Sequence, residues 1–219
     1  MTKCCIHHHI FHLHNTMKNL DGTVRSTVNY INPHDMQRVI DAIPQLNIRK
    51  WLDKDIEMLF KIQYNSALRP MEAITLEKHQ INLEDRKINL GKTKTTAIDT
   101  AMIPKRFVPE LAKWLENKPD GNRLFIDLTY NTFYRWLLRL GKLCSIEAWT
   151  VPQSVTHEKT VGHIWRKSQA KAQLHGDILN NKGEKFAIPI ISQHLRHKNP
   201  AVTINSYLKS SIEAVFDEY

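Results

Sequence analysis

The stretch "QINLEDRKINLGKTKTTAIDTAMIP", residues 80–104, decides the fold class because it interrupts an otherwise helical pattern. Apolar and polar residues alternate in "QINL" and in "INLGKTK", a polar "EDRK" turn joins these two segments, and "DTAMIP" supplies a third extended run. Alternation with a period of two, bounded by turn residues, is typical of β-strands. The stretch therefore predicts a small antiparallel sheet inserted between helices.

The chain before this sheet shows the periodicity of helices. In "INPHDMQRVIDAI", Asn32 is suited to cap a helix and Pro33 to occupy its first position. In "DKDIEMLFKIQYNSAL", Asp53 or Asp55 marks the start of a second helix. Apolar residues recur at helical spacing and predict buried stripes at Met36, Val39, Ile40 and Ile43 in the first helix and at Ile56, Leu59, Phe60 and Ile62 in the second.

Helices also dominate the chain after the sheet. "PKRFVPELAKWLENK", "NTFYRWLLRLGKLCS" and "VGHIWRKSQAKAQLHG" predict three helices, the last of which we expect to end at Gly176. Residues 192–197 and 200–215 predict two short helices separated at Asn199 and Pro200. The predicted fold class is therefore mainly α with a small antiparallel β insertion, an α+β arrangement.

Composition narrows the classes of function. The chain has 219 residues, of which 42% are hydrophobic, and 31 Lys+Arg against 22 Asp+Glu give a formal charge of +9. A basic excess of this kind favours a polyanionic partner. No apolar run approaches the roughly 18 residues of a membrane span. Cys4, Cys5 and Cys144 form no disulfide framework, so we expect an intracellular protein, cytoplasmic or associated with the nucleoid.

The N-terminal segment "MTKCCIHHHIFHLHNTMKN" is rich in side chains that bind metals. Cys4 and Cys5 are adjacent, however, and do not reproduce the spaced cysteine pairs of structural zinc sites. We therefore expect no metal site and interpret residues 1–30 as a disordered leader. Residues 31–219 are predicted to form one domain.

Seven further residues could carry chemistry, and each is ordinary by itself. An arginine after a helix is usually solvated, and a lysine in a hairpin usually lies at the surface. It is their order and spacing that are informative. They are Arg69 in "SALRPMEAITL", Lys92 and Lys94 in "GKTKTTAIDT", His163 and Arg166 in "VGHIWRKSQAK", and His197 and Tyr207 in "LRHKNPAVTINSYL".

This order resembles the tyrosine recombinase, or phage integrase, family over residues 31–215. "YNSALRPMEAITL" looks like the family's first motif, with Arg69 as its arginine and Glu72 as the accompanying acidic residue. "GKTKTTAIDTA" is similar to the β-hairpin of Cre-like members, and this match places the catalytic lysine at Lys94 rather than Lys92. Glu72 is expected to orient or neutralise the basic cluster.

The second half of the chain carries the rest of the resemblance. "GHIWR" fits the family's H-x-x-R motif and gives His163 and Arg166, although Lys167 follows where many members carry histidine. "LRHKNPAVTINSYL" looks like the closing segment, with His197 in the His/Trp position and Tyr207 as the nucleophile. Members generally also have an N-terminal core-binding domain, which we expect to be absent because the first 30 residues are too few to form it.

The resemblance implies a site-specific recombinase or integrase, as found in mobile genetic elements, that cleaves and rejoins DNA through a covalent 3′-phosphotyrosine. Such a transesterification needs no cofactor, neither metal nor ATP. The implied partners are double-stranded DNA, further copies of the chain in a dimer or tetramer on DNA, and accessory factors or a separate core-binding domain, with no membrane. A telomere resolvase or a topoisomerase IB-like nicking-closing enzyme shares this chemistry, and a catalytically inactive DNA-binding protein is the alternative outside enzymes.

Overall fold

The structure, a computed structural model, describes residues 33–92, 98–146, 163–179, 184–197 and 199–203. The part before the sheet contains α1 (Pro33–Asp41), α2 (Asp53–Asn65) and α3 (Pro70–Ile74). The sheet consists of β1 (Ile81–Asn82), β2 (Lys87–Lys92) and β3 (Ile98–Met102). The part after it contains α4 (Val108–Leu115), α5 (Tyr130–Leu143), α6 (Ile164–Leu179), α7 (Glu184–His194) and α8 (Pro200–Thr203). The prediction of a mainly helical fold with a small antiparallel sheet is confirmed.

Helix α2 is the centre of the core. It begins at Asp53, and its predicted stripe is fully buried, since Ile56, Leu59 and Phe60 each have 0% exposure. The ring of Phe60 stacks on Trp165 of α6 with 5.0 Å between the ring centroids. Burying a large apolar side chain stabilises a fold by about 1.5–3 kcal/mol. This contact therefore fixes α6, which follows His163, against the helix that leads to Arg69.

The sheet has the predicted hairpin topology. β1 pairs antiparallel with β2, and β2 pairs antiparallel with β3. Ile88 lies opposite both Ile81 and Ala101, and it is fully buried in the same core as the helices. The apolar side of the sheet is thereby anchored on the helical domain.

A register shift interrupts the pairing of β2 with β3 between Asn89 and Lys92. Over this interval two residues, Leu90 and Gly91, face the single residue Asp99. Gly91 has a φ of 69°, which glycine adopts without steric cost. Such bulges bend a strand and redirect side chains. The irregularity thus lies directly opposite Asp99 and next to the lysine-bearing segment.

Two boundaries at the C-terminal side differ from the sequence prediction. Helix α6 continues through Gly176 to Leu179, because a glycine inside a helix costs only about 1 kcal/mol relative to alanine and does not by itself end it. Helix α7 covers Glu184–His194, so the helix predicted over residues 192–197 is present with wrong bounds: it begins earlier, at Glu184, and ends earlier, at His194. Pro189 lies inside α7, where proline weakens a helix but tertiary packing can retain it.

Within the described residues, no helix has the length and apolarity required to cross a bilayer. Cys144 is buried with a free thiol. Cys4, Cys5 and the rest of the predicted leader lie outside the described residues.

Candidate functional site

The end of α2 positions Arg69. The N–H of Ala67 donates to the carbonyl of Tyr64, and the N–H of Leu68 donates to the carbonyl of Gln63 at 3.1 Å. This pair of bonds is the Schellman motif, which ends a helix with a residue in the left-handed conformation. Ala67 takes that place with a φ of 49°. The chain then turns, and Arg69 follows as the N-cap residue of α3.

The side chain of Glu72 fixes Arg69 from within α3. One carboxylate oxygen, Oε2, accepts from the backbone N–H of Arg69 at 2.7 Å, and the other, Oε1, accepts from its Nη1 at 2.7 Å. Pro70 stands at the first helical position, where the missing N–H costs nothing. The side chain of Arg69 remains 40% exposed. Its guanidinium is therefore held at one end and accessible to a ligand.

The end of α7 repeats the same capping motif beside His197. The N–H of Arg196 donates to the carbonyl of Gln193 at 2.9 Å, and the N–H of His197 donates to the carbonyl of Ser192 at 2.9 Å. Arg196 takes the left-handed position with a φ of 56°. The ring Nδ1 of His197 lies 2.8 Å from Oγ1 of Thr203, in α8. Both backbone and side chain of His197 are thus fixed.

Arg166 joins these two capping motifs. Its Nη1 donates to the carbonyl of Ala67, and its Nη2 donates to the carbonyl of Leu195. Arg166 is 1% exposed and belongs to α6. A buried guanidinium needs hydrogen-bond acceptors, and its planar fork suits two acceptors at once. The residue therefore ties the segment before Arg69 to the segment before His197.

Three histidines share the field of these arginines. Burial and the charge of Arg166 lower the pKa of His163 to about 4, and Arg69 acts in the same direction. Burial, Arg166 and Arg69 lower the pKa of His197 to about 4. His194 is similar, because burial, Arg166 and Arg196 lower its pKa to about 4. All three imidazoles are therefore neutral at pH 7, and they can donate a hydrogen bond or accept a proton.

Asp99 connects the sheet to the arginines. Its Oδ2 lies 3.2 Å from Nε of Arg196 and 3.8 Å from Nη1 of Arg69. Arg196 also approaches Glu72, with 2.5 Å between Nη2 and Oε2. Burial raises the pKa of Glu72, but Arg196 and Arg69 together more than offset it and hold the pKa below its usual range. Both carboxylates therefore neutralise part of the local positive charge.

The structure brings together five of the residues singled out in the sequence, namely Arg69, Glu72, His163, Arg166 and His197. Lys92 is the last residue of β2. Lys94 and Tyr207 lie outside the described residues. Among the described residues, no group of three or more histidine, cysteine, aspartate or glutamate side chains could hold a metal ion.

Sequence reasoning missed four residues of this neighbourhood, Asp99, His194, Arg196 and Thr203. The sequence predicts Asp99 only as part of a strand, and Arg196 only as part of a short helix over residues 192–197. Their roles depend on contacts over long sequence separations, and no local pattern encodes those contacts. The one available signal was Arg196 itself, a long charged side chain one position before a histidine of the closing motif.

Solved structures share this arrangement of helices and sheet. The catalytic domain of bacteriophage HP1 integrase superposes with a TM-score of 0.56 and 20% identity, over 85% of this chain and 95% of that one. The XerH site-specific recombinase bound to difH substrate gives a TM-score of 0.57 and 17% identity, over 87% of this chain and 55% of that one. The fold is that of a tyrosine recombinase catalytic domain.

Sequence comparison agrees with the structural one. The tyrosine recombinase XerA of Saccharolobus solfataricus is 26% identical over 147 residues, which cover 65% of this chain and 48% of the relative. The sequence profile of the phage integrase family matches residues 29–213. The chain belongs to the phage integrase family, and the resemblance drawn from its motifs is confirmed. It spans about half the length of the curated relative that it matches.

Proposed function

We propose that this chain is the catalytic domain of a site-specific DNA recombinase that cleaves and rejoins strands through a covalent 3′-phosphotyrosine at Tyr207. The observation that carries the proposal is the convergence of Arg69, Arg166 and His197 from segments far apart in sequence. Two guanidiniums beside neutral imidazoles suit a phosphodiester oxygen. Family membership supports the same reaction class.

The proposed role of the arginines follows from the charge of the reaction. Attack on a phosphodiester concentrates negative charge on the nonbridging oxygens, and donors already in place there stabilise the transition state. Arg69 is the accessible guanidinium, so it donates to a nonbridging oxygen. Arg166, which is buried and hydrogen-bonded to two main-chain carbonyls, adds a second permanent charge beside this site without contacting the phosphate. His197 supplies a hydrogen bond to the phosphate.

We assign the attack on phosphorus to Tyr207 and the protonation of the leaving oxygen to Lys94. The phenol oxygen of Tyr207 forms a bond to phosphorus while the bond from phosphorus to the 5′-oxygen breaks. His163, neutral at pH 7, accepts the phenol proton. Lys94 gives a proton to the departing 5′-oxygen, which leaves as a hydroxyl. Attack by another 5′-hydroxyl on the phosphotyrosine reverses these steps and joins a new strand without a cofactor.

Double-stranded DNA is the proposed partner. The XerH relative is bound to its difH substrate, and the formal charge of +9 of this chain suits a polyanion. Exchange between two duplexes needs more than one active site, so we also propose that copies of the chain assemble on DNA as a dimer or tetramer.

The test is covalent trapping on a nicked suicide substrate, a duplex whose cleaved end loses a short fragment so that rejoining is prevented. The parent chain should give a protein–DNA adduct that survives denaturation. Tyr207→Phe should abolish the adduct with nearly unchanged DNA affinity, because one oxygen is removed. Tyr219→Phe is the matched control and should retain the adduct. An adduct from Tyr207→Phe at the parental yield would remove Tyr207 from the nucleophile's role, and its absence from the parent would refute the proposed activity.

A further inference from the structure

Four charged side chains form a closed ring beside the proposed phosphate site. This charge ring consists of Arg69, Glu72, Asp99 and Arg196. Arg196 contacts both carboxylates, with 2.5 Å from Nη2 to Glu72 and 3.2 Å from Nε to Asp99. Arg69 contacts the same carboxylates, with 2.7 Å and 3.8 Å from its Nη1 to Glu72 and Asp99. Two carboxylates thus lie between two guanidiniums.

The two arginines of the ring differ in exposure. The side chain of Arg196 is 6% exposed, whereas that of Arg69 is 40% exposed. A solvent-accessible guanidinium can meet an incoming phosphate, and a buried one acts on its protein neighbours. Arg196 is therefore placed to act through Glu72 and Asp99 rather than on DNA.

The backbone of Arg196 gives an independent reason to assign it a role. It takes the left-handed position of the Schellman motif at the end of α7, with a φ of 56°. Glycine fits this position without steric cost and is the usual residue there. A strained residue persists where the surrounding structure holds it, and such residues cluster at functional sites. Here the two ion pairs to Glu72 and Asp99 are what glycine could not supply.

We propose that Arg196 is a positioning residue for strand cleavage: it neutralises and holds the carboxylates of Glu72 and Asp99, so that Arg69 keeps its charge and orientation for the phosphate. This inference rests on the proposed function of the site. Without Arg196, two carboxylates would face the single guanidinium of Arg69, and their excess negative charge would repel a DNA phosphate. They would also draw the side chain of Arg69 away from it.

The chain offers a matched control for this idea. Arg86, in the turn between β1 and β2, is exposed and has a φ of 55°, close to that of Arg196. Arg86→Gly and Arg196→Gly each remove one positive charge and relieve one left-handed backbone position. They differ in that Arg196 contacts the two carboxylates of the ring.

The experiment measures single-turnover adduct formation on the nicked suicide substrate for the parent, Arg196→Gly, Arg86→Gly and the double variant Arg196→Gly/Asp99→Asn. Displacing a reacting group can cost roughly 100-fold in rate, so Arg196→Gly should be slower by that order. Coupling between contacting charges should let Asp99→Asn restore about tenfold of the loss. Arg86→Gly should retain the parental rate.

Rescue by Asp99→Asn separates positioning from a structural role. If Arg196 only stabilised the fold, removing a second partner of the ring would give no gain in rate at a temperature where all variants are folded by circular dichroism. Absence of rescue, or a parental rate for Arg196→Gly, would overturn the inference while leaving the proposed function intact.

The affinity for a short duplex, measured at fixed salt, is a second test that does not depend on cleavage. Arg196→Gly should bind more weakly than the parent, and the double variant should recover affinity. If the parent forms no adduct but this pattern appears, the proposed reaction fails and the electrostatic role of Arg196 stands. Equal affinity of the parent, Arg196→Gly and the double variant would overturn that role.

Discussion

The guanidinium of Arg166 donates to the carbonyl oxygen of Ala67, two positions before Arg69. Its second terminal nitrogen donates to the carbonyl of Leu195, two positions before His197. One buried side chain of α6 thus sets the spacing between two motifs that are more than a hundred residues apart. Arg166 therefore stabilises the packing of these two segments, a role that Arg69, with its exposed guanidinium, does not have.

Lysine substitutions should distinguish the two arginines by stability. An ammonium lacks the planar fork and cannot serve two carbonyls in the same geometry. Each hydrogen bond to a charged group contributes about 1.5–3 kcal/mol, so Arg166→Lys should lower the free energy of unfolding by about 3 kcal/mol. Arg69→Lys should cost less than about 1 kcal/mol, as expected of a partly exposed ion pair.

Urea denaturation at pH 7 measures the loss of unfolding free energy in Arg166→Lys and in Arg69→Lys. Adduct formation should fall by about 10²–10³ for Arg69→Lys, since a transition-state donor is lost. Equal stability losses in the two variants would contradict the different burial of the two side chains.

Stability should fall as the pH is lowered from about 6.5 to 4. His163, His194 and His197 have a folded-state pKa of about 4, against about 6.5 for an unfolded histidine. In this interval the unfolded chain binds protons that the folded chain does not, so unfolding is favoured as the pH falls. The stabilising contribution is complete above pH 6.5 and is lost as the pH falls through the folded pKa.

The pH dependence can be assigned to single residues. His194→Gln should remove the contribution of one lowered histidine pKa, so the slope of unfolding free energy against pH near pH 5 should decrease. Thermal or urea unfolding of parent and variant across this interval measures the slope. Identical slopes would show that His194 is protonated in the folded protein.

A 5′-phosphorothiolate substrate should identify the general acid. A thiolate departs without a proton, so sulfur in place of the bridging 5′-oxygen rescues a variant that lacks only the acid. Lys94→Ala should therefore be slow on the normal substrate and recover on the sulfur substrate. Lys92→Ala, two positions away in the sequence, should show little defect. Rescue of Lys92→Ala alone would move the acid to that residue.

Chelation should leave cleavage intact. If Arg69 and Arg166 supply the positive charge at the phosphate, EDTA should not lower the yield of adduct. Removal of residues 1–16, with the cysteines and histidines of the predicted leader, should have equally little effect. Loss of cleavage in EDTA that zinc restores would instead assign a function to that segment.

The helices and the sheet could be predicted because they follow from local patterns. Ile56, Leu59 and Phe60 recur at helical spacing, and burial in the core confirms that stripe. The alternation around Ile88 likewise predicted a strand. The prediction that helix α6 ends at Gly176 is wrong. A glycine ends a helix where its backbone is left-handed, whereas Gly176 lies within α6. The start of α7 at Glu184 has no clear local signal, because the helix contains Pro189, a residue that usually breaks helices.

The candidate site was predictable only where a motif covers it. Arg69, His163 and His197 came from motifs, whereas Asp99 and Arg196 act through contacts between separate segments. The pairing of Arg196 with Glu72 spans 124 positions, and no spacing rule reaches so far. The burial of Arg166 against two backbone carbonyls could not be predicted either, because the sequence does not indicate which atoms its guanidinium contacts.

The acceptors that Ala67 and Leu195 offer to Arg166 are main-chain oxygens, and every amino acid carries the same main-chain oxygen. Replacing the side chain at Ala67 or Leu195 changes what surrounds the guanidinium, but it does not remove either acceptor. Substitutions at Ala67 or Leu195 that keep the main chain in place therefore preserve both hydrogen bonds.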